Sequence, residues 1–256
     1  MEDNNMALNA SVVNGIAASY TEQKNTRQQA LRDLIPAILR NSTESREQNR
    51  LQSRDLNVFR FFNPGETTHS RLLAYFLDPR ESHGQGDLFL VKFLELLKIS
   101  QPESLKTSPW IVTAELGRVD VLIKRKHPHT VVVIENKSNY AVDQSNQLYR
   151  YWHQEIYLKQ LERKASEQEI IDPPQSQYRV IYLSPAFWKQ ADKQSVSRPK
   201  DWSDSLPKTV PERIIEHHLF SNLVIVWLTK SLTLIPPVNH RLREFTKQYI
   251  QFWKSI

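Results

Sequence analysis

The sequence predicts an α/β fold organised around a β-hairpin. Two β-branched runs, residues 119–123 and 131–137, are separated by a short charged connection, which is typical of a hairpin. Apolar residues recur at helical spacing before this hairpin, over residues 72–77, and after it, over residues 148–161. A further strand pattern follows at residues 178–185. The mixture of strand and helix patterns therefore indicates an α/β domain.

The composition limits the class of protein. The chain has 256 residues, 39% hydrophobic and 24% charged, which suits one domain with elaborations or two small ones. It contains no cysteine, which excludes disulfides, cysteine-zinc sites and thiol nucleophiles. A formal net charge of +6 favours polyanionic partners. The apolar runs are too short to span a bilayer and the first residues lack a secretory pattern, so we expect a cytoplasmic protein without membrane contact.

Residues 1–53 are expected to form an N-terminal helical region that precedes the main domain. Leucine and isoleucine recur at helical spacing there, which predicts a helix over residues 22–40. Pro36 lies inside this pattern and has no backbone N–H, so we expect a kink or a break near Ile35.

The second half of the chain carries four weaker patterns. A helix is expected to begin at Asp143, after the hairpin. Residues 186–212 are polar and rich in proline, which predicts a long irregular excursion. Residues 222–228 fit either a strand or a buried helix. Residues 239–254 predict a closing amphipathic helix.

Three charged residues stand in the otherwise apolar hairpin strands: Asp120, Glu135 and Lys137. Side chains alternate faces along a strand, so Glu135 and Lys137 point to the same side. Burying such a charge without a partner costs on the order of several kcal/mol. Two carboxylates make a hard-oxygen site suited to Mg²⁺ or Mn²⁺, and a lysine beside them can orient an attacking water. The alternative is a cross-strand salt bridge in a plain sheet.

A helix upstream of the hairpin adds a further carboxylate. Glu66, His69 and Ser70 share one face at helical spacing. Glu66 either takes part in a site or supplies the acidic residue that the first turn of a helix favours. His83 follows in a turn-rich loop, where it is either a ligand or a histidine that is structural or merely exposed.

The connection of the hairpin is basic, with Lys124, Arg125 and Lys126 in sequence. These side chains either contact phosphate or are solvated. Among the aromatic residues that follow, Tyr140, Tyr149 and Tyr151 could stack on bases, with burial in the core as the alternative for Tyr151.

Four segments, taken in order, resemble the PD-(D/E)xK nuclease superfamily, and in particular a bacterial subfamily with a Glu-x-x-His-Ser helix. The resemblance runs over residues 64–183. The segments are Glu66-Thr67-Thr68-His69-Ser70, His83-Gly84-Gln85-Gly86, the core Gly117-Arg118-Val119-Asp120 with Glu135-Asn136-Lys137, and Asp143-Gln144 with Gln147-Leu148 and Tyr151. Val119 stands where the superfamily name has a proline.

The resemblance implies a restriction-endonuclease-like fold, a mixed central β-sheet flanked by α-helices, over residues 54–256. It implies that Asp120, Glu135 and the main-chain carbonyl of Asn136 bind Mg²⁺ or Mn²⁺. Lys137 would be the catalytic lysine, with Glu66 completing the acidic cluster and Gln147 orienting the site or contacting DNA. The remaining expected residues are Lys124, Arg125, Lys126 and Arg150 as nucleic-acid contacts, and His69, Ser70 and His83 as accessory groups.

The function that these patterns favour is a metal-dependent nuclease that hydrolyses phosphodiester bonds in DNA, in restriction or phage defence. Two alternatives stay open. One is a non-catalytic nucleic-acid-binding or interaction module with a nuclease-like fold, and the other is an RNA-processing nuclease. The oligomeric state is also open, with a homodimer among the alternatives.

Overall fold

The computed structural model describes residues 2–53, 56–99, 101, 108–117 and 119–256, with side chains except at residues 2–18, 21 and 52. The chain forms two compact units, Met1–Leu56 and Asn57–Ile256. The predicted domain boundary lies at residue 53, and the assignment of two domains stays a prediction.

The described residues of the first unit form one long helix, α1 (Glu2–Gln52). The helix is longer than the predicted segment at both ends. It continues past Pro36, so of the kink or break expected near Ile35 the break does not occur. A proline inside a helix removes one hydrogen bond, while the turns on both sides keep theirs. The side chains of Leu31, Leu34, Ile35 and Ile38 are all more than half exposed.

The second unit is built on a mixed sheet. Among the described residues, five strands form this sheet in the order β1-β2-β3-β4-β5. The strands β1, β2 and β3 are antiparallel neighbours, whereas β3, β4 and β5 run parallel. The bounds are β1 (Trp110–Leu116), β2 (Val119–Arg125), β3 (Thr130–Asn136), β4 (Tyr178–Ser184) and β5 (Ile215–Leu219). The predicted hairpin is therefore β2 and β3, at the centre of the sheet.

Helices flank the sheet in two groups along the chain. The helices before the sheet are α2 (Val58–Phe62), α3 (Glu66–Leu77) and α4 (Leu88–Leu96). The helices after β3 are α5 (Gln147–Trp152), α6 (Leu158–Glu162), α7 (Glu167–Ile171), α8 (Ile225–Leu232) and α9 (His240–Lys254), and a π-helical turn joins α5 to α6. The helix expected from Asp143 begins instead at Gln147, because residues 143–144 are irregular and residues 145–146 form a turn. Residues 222–228, left undecided by periodicity, are helical.

The strands divide their side chains between two apolar clusters. Along β3, Val132 and Ile134 join one cluster with α3, α4, α8 and α9, while Val131 and Val133 join a second cluster with α5. This alternation is the period of two that a strand imposes. The sheet is thus covered on both faces, and the predicted α/β class with a mixed sheet and flanking helices is confirmed. Within the described part of the chain, no helix has the length and apolarity needed to cross a membrane.

Candidate active site at the end of the β2–β3 hairpin

Two carboxylates face each other across the central hairpin. The register pairs Val121 with Ile134, which places Asp120 opposite Glu135 at the open end of the hairpin. Directly opposed side chains on one sheet face lie within contact distance. Glu135 is only 1% exposed, and Asp120 is half-buried. The structure therefore brings the two predicted metal ligands together.

The Glu135 carboxylate has an ion-pair partner for one oxygen only. Its Oε1 lies 2.6 Å from the Nζ of Lys137. Its Oε2 is buried and has no hydrogen-bond partner among the described residues. Burial, followed by the nearby charge of Asp120, raises the pKa of Glu135 above its ordinary value. A buried oxygen without a partner is costly, so this atom is suited to a ligand.

Asp120 is held by the backbone of the neighbouring strand. The N–H of Asn136 donates to Asp120 Oδ2 at 2.7 Å. Burial raises the pKa of Asp120, and this hydrogen bond, which favours the charged form, opposes the increase only in part. Both carboxyl groups are therefore less acidic than in water and would give up protons to a cation.

Lys137 lies between acidic and amide groups. Besides Glu135, its Nζ approaches Gln147 Oε1 at 3.5 Å and Asp143 Oδ1 at 3.6 Å. Burial lowers the pKa of Lys137, but the charges of Glu135 and Asp143 outweigh burial, so the net change is upward. The side chain is 4% exposed, so the ammonium is held in place by its partners.

Glu66 begins α3 and fixes the turn that follows Lys137. Its Oε1 accepts the N–H groups of Asn139 at 3.2 Å and of Ala141 at 3.3 Å. Its main-chain carbonyl accepts Asn136 Nδ2 at 2.9 Å, and the same amide donates to Ser70 Oγ at 3.0 Å. The predicted acidic residue is therefore near the site, with its carboxylate used to hold backbone, and Ser70 fastens α3 to the end of β3.

Comparison with known proteins identifies the family of this chain. The family model of the PD-(D/E)XK nuclease superfamily matches residues 56–249. This chain belongs to the PD-(D/E)XK nuclease superfamily. The expected family is thereby confirmed, and the match spans the sheet and every site group described above. Comparison with curated proteins and with solved structures gave no significant match.

The donor atoms of this PD-(D/E)XK site suit a divalent cation. In the described residues, no three His, Asp or Glu side chains are placed to hold one ion together. Magnesium does not need such a set, because one or two carboxylates, waters and substrate phosphate complete its shell. The unpartnered Oε2 of Glu135 and the opposed Asp120 supply two hard oxygens. The site residues therefore fit Mg²⁺ or Mn²⁺.

The two histidines expected as accessory groups have structural partners. His69 is 1% exposed, with its Nδ1 3.0 Å from the hydroxyl of Tyr249 and its ring against Trp253. His83 is buried, with Nε2 3.1 Å from the Asp78 carbonyl and Nδ1 accepting the N–H of Gln85. The hydrogen bonds of His69 and His83 fix α3 to α9 and shape the loop before α4, respectively.

The structure does not bring the basic connection of the hairpin to the carboxylates. Arg125 ends β2, five residues from Asp120, a span of roughly 17 Å at the rise of a strand. Its guanidinium is buried over the ring of Trp110, 4.4 Å from the ring centroid. Lys124 pairs with Glu155 at 3.0 Å, and Lys126 is exposed. Phosphate contact by Lys124, Arg125 and Lys126 stays a prediction. It would take place at the end of β2 that is remote from Asp120.

Arg150, which is expected to contact nucleic acid, is among the described residues, whereas Arg118 is not. Arg150 is exposed on α5, three residues after Gln147. Arg118, part of the matching core segment, lies outside the described residues. Of the tyrosines considered for base stacking, Tyr149 and Tyr151 are buried, whereas Tyr140 is exposed.

Sequence reasoning missed Asp143 and Lys189. The side chain of Asp143 is 4% exposed, and its Oδ1 lies 3.6 Å from Lys137 Nζ and 3.5 Å from Lys189 Nζ. The same oxygen accepts the hydroxyl of Tyr182 at 2.8 Å. The sequence predicts that a helix begins at Asp143, and an acidic residue before an apolar helical pattern gives no signal that separates a helix start from a site residue. Lys189 belongs to the irregular excursion, so only the folded chain shows that it is near Lys137.

Proposed function

We propose that this protein is a metal-dependent nuclease that hydrolyses phosphodiester bonds in DNA. The observation that carries the proposal is the opposed pair of a half-buried Asp120 and a buried Glu135. An ammonium lies 2.6 Å from Oε1 of Glu135, and Oε2 of the same carboxylate has no partner among the described residues. A structural salt bridge would satisfy Glu135 without leaving one buried oxygen unpaired.

Asp120, Glu135 and the carbonyl of Asn136 would hold the Mg²⁺ or Mn²⁺ ion. When bound, such an ion lowers the pKa of a water and neutralises charge on a phosphoryl oxygen. The orphan oxygen of Glu135 and the high pKa of both carboxyls fit this role, since a cation would remove the cost of burying their charge.

Lys137 would act as a positioned cation. Because its pKa is raised, the side chain is an ammonium at neutral pH and donates protons in hydrogen bonds. Such a group can orient the attacking water and offset negative charge that develops on the phosphate. Gln147, whose Nε2 donates to Tyr151 at 2.8 Å, keeps its Oε1 directed toward Lys137. Glu66 would keep the turn after Lys137 in position.

DNA as the substrate, and restriction or phage defence as the biological role, rest on the family and on the net charge of +6. Cationic side chains near the site, Lys189 and Arg150, could contact the phosphate backbone.

A cleavage assay tests the proposal. Purified protein is incubated with supercoiled plasmid, linear duplex DNA and RNA, each with Mg²⁺, with Mn²⁺ and with EDTA. We expect cleavage of DNA only with metal, and a loss of about a hundredfold or more in Lys137→Ala, the usual effect of removing a group that stabilises transition-state charge. Lys159→Ala is the matched control, because Lys159 pairs with Glu162 on the surface of α6.

Three outcomes would contradict the proposal. Cleavage no greater than that of Lys137→Ala would exclude a nuclease that works through this site. Tight DNA binding with no metal-dependent cleavage would favour a non-catalytic module. Cleavage of RNA alone would favour an RNA-processing enzyme.

A further inference from the structure

Two aromatic rings are stacked on the surface beside the candidate active site. Tyr140 and Trp188 lie with ring centroids 5.2 Å apart and planes inclined by 5°. Tyr140 is 42% exposed and Trp188 is 64% exposed. Tryptophan at this exposure contributes little to a core, so the packing of the fold does not explain the pair.

Tyr140 is fastened to the site through the turn that follows Lys137. Its N–H donates to the Lys137 carbonyl at 3.0 Å. The N–H groups of both its neighbours, Asn139 and Ala141, donate to the Glu66 carboxylate. Tyr140 adopts a left-handed backbone conformation with φ of 60°, which is unfavourable for a residue with a side chain and is retained here by these bonds. The ring is thus set in a defined place three residues from the lysine.

Trp188 is connected to the same site through its neighbour Lys189 and the carboxylate of Asp143. The next residue, Lys189, lies 3.5 Å from Asp143, and Asp143 lies 3.6 Å from Lys137. The N–H of Asp192 donates to the second oxygen of Asp143 at 2.8 Å. One buried carboxylate therefore connects the Trp188 loop to the ammonium of Lys137.

We propose that Tyr140 and Trp188 form a stacking platform for an unpaired nucleobase of the substrate, next to the phosphodiester that is cut. This inference rests on the proposed nuclease function and specifies its substrate class, a nucleic acid with a single-stranded segment at the cleavage position. Every base has a π face that stacks on an aromatic ring, and stacking requires no particular sequence.

The geometry distinguishes paired from unpaired substrate. Inside a duplex, both faces of a base are covered by neighbouring base pairs, so an external ring can stack only on a base that is unpaired or extruded. The stacked pair presents an exposed ring surface. Exposed aromatic rings on which successive bases stack are a recurrent feature of proteins that bind single strands.

Binding measured without catalysis tests the platform. Fluorescence anisotropy is recorded in EDTA with three labelled probes of one sequence: single-stranded DNA, its duplex and single-stranded RNA. We expect Trp188→Ala to weaken binding of single-stranded DNA by about tenfold, the usual scale for loss of one base–aromatic stack, and to leave duplex binding unchanged. Trp188→Phe should recover part of the loss. The RNA probe shows whether the platform also accepts ribose.

The matched control is Phe187→Ala. Phe187 is the neighbouring residue and is 74% exposed, and it stacks on no ring among the described residues. Equal losses of single-strand affinity in Phe187→Ala and Trp188→Ala would overturn the proposal. It would also be overturned if Trp188→Ala weakened binding of duplex and single-stranded DNA equally, or if it weakened the binding of neither. Thermal unfolding of each variant shows whether that variant is folded. If Trp188→Ala has a folding defect, Trp188→Phe tests the platform instead, and a variant that does not recover binding of single-stranded DNA would overturn it.

Cleavage is scored separately, so that the two proposals fail in different ways. Selective, Trp188-dependent binding of single strands without cleavage by the intact protein would overturn the nuclease function and leave the platform in place. Metal-dependent cleavage of fully paired DNA that Trp188→Ala does not alter would uphold the nuclease and overturn the platform.

Discussion

Glu135 is a carboxylate in a strand in which all seven residues are buried. Burial of this kind is tolerated when the charge is paired, protonated or bound to a cation. Lys137 pairs one oxygen, and the other oxygen remains without a partner among the described residues. At the scale of the residue, the site is therefore a pair of carboxyl groups with raised pKa values beside an ammonium. This arrangement suits a bound cation better than it suits a sheet that binds no ligand.

Asp143 gives the prediction at this scale. The charge of Asp143 helps to raise the pKa of Lys137, so Asp143→Asn should lower that pKa. We expect kcat for DNA cleavage to fall by about tenfold, and the alkaline limb of its pH profile to move to lower pH, because a positioned ammonium would be lost sooner. KM should change little.

Asp201→Asn serves as the control, because Asp201 is exposed in the excursion after β4. If the Asp143→Asn alkaline limb stays where it is in the unaltered protein, Asp143 does not act through Lys137.

At the scale of the element, α3 joins two parts of the unit. Its first residue, Glu66, holds the turn after β3, and Asn136 donates to the Glu66 carbonyl. One turn later, His69 contacts α9 through Tyr249 and Trp253. The Glu-x-x-His spacing thus places a carboxylate toward the site and an imidazole toward the core. The helix α3 therefore connects the site to the C-terminal helix, α9.

His69 predicts how the fold responds to acid. Burial lowers the pKa of His69 to about 4, whereas an unfolded histidine titrates near about 6.5. The unfolded chain therefore takes up the proton first, and the contribution of the neutral imidazole is complete above about pH 6.5 and is lost as the pH falls toward about 4. The loss amounts to about 3 kcal/mol.

Urea unfolding at several pH values measures this effect. The free-energy difference between the unaltered protein and His69→Gln should shrink as the pH falls from neutral to acidic, since the variant lacks the titrating group. His240→Gln, at an exposed position on α9, should show no such trend. A difference for His69→Gln that is constant with pH would contradict the prediction.

At the scale of the whole molecule, the sheet and both apolar clusters lie within Asn57–Ile256. The superfamily match covers nearly the same stretch, residues 56–249. A unit with its own sheet and core has what independent folding requires.

We therefore expect a fragment of residues 57–256 to fold alone. It should unfold in one cooperative transition and keep the near-ultraviolet circular dichroism of its buried tryptophans, including Trp152 and Trp227. The full chain is the reference sample. A fragment without a cooperative transition would show that the second unit depends on residues before 57.

Some features of this protein could be predicted from short stretches of sequence. The hairpin, the α/β class and the shared face of Glu135 and Lys137 follow from local spacing, because the period of a strand decides which side chains share a face. The structure supplies the register that places Asp120 opposite Glu135. The strand β5 was not expected, since Ile215–Leu219 lacks the alternation of apolar residues and depends on β4 for its place in the sheet.

What the sequence by itself determined is the chemistry at the end of the hairpin: two carboxylates, a lysine on the same face and the superfamily they belong to. Only the tertiary structure decided which distant groups join them. Asp143 lies between the ammonium groups of Lys137 and Lys189, His69 contacts α9, and the Arg125 guanidinium is covered by Trp110. The physical reason is that these contacts join elements remote in the chain. Packing of the two apolar clusters fixes their orientation, and no local spacing encodes it.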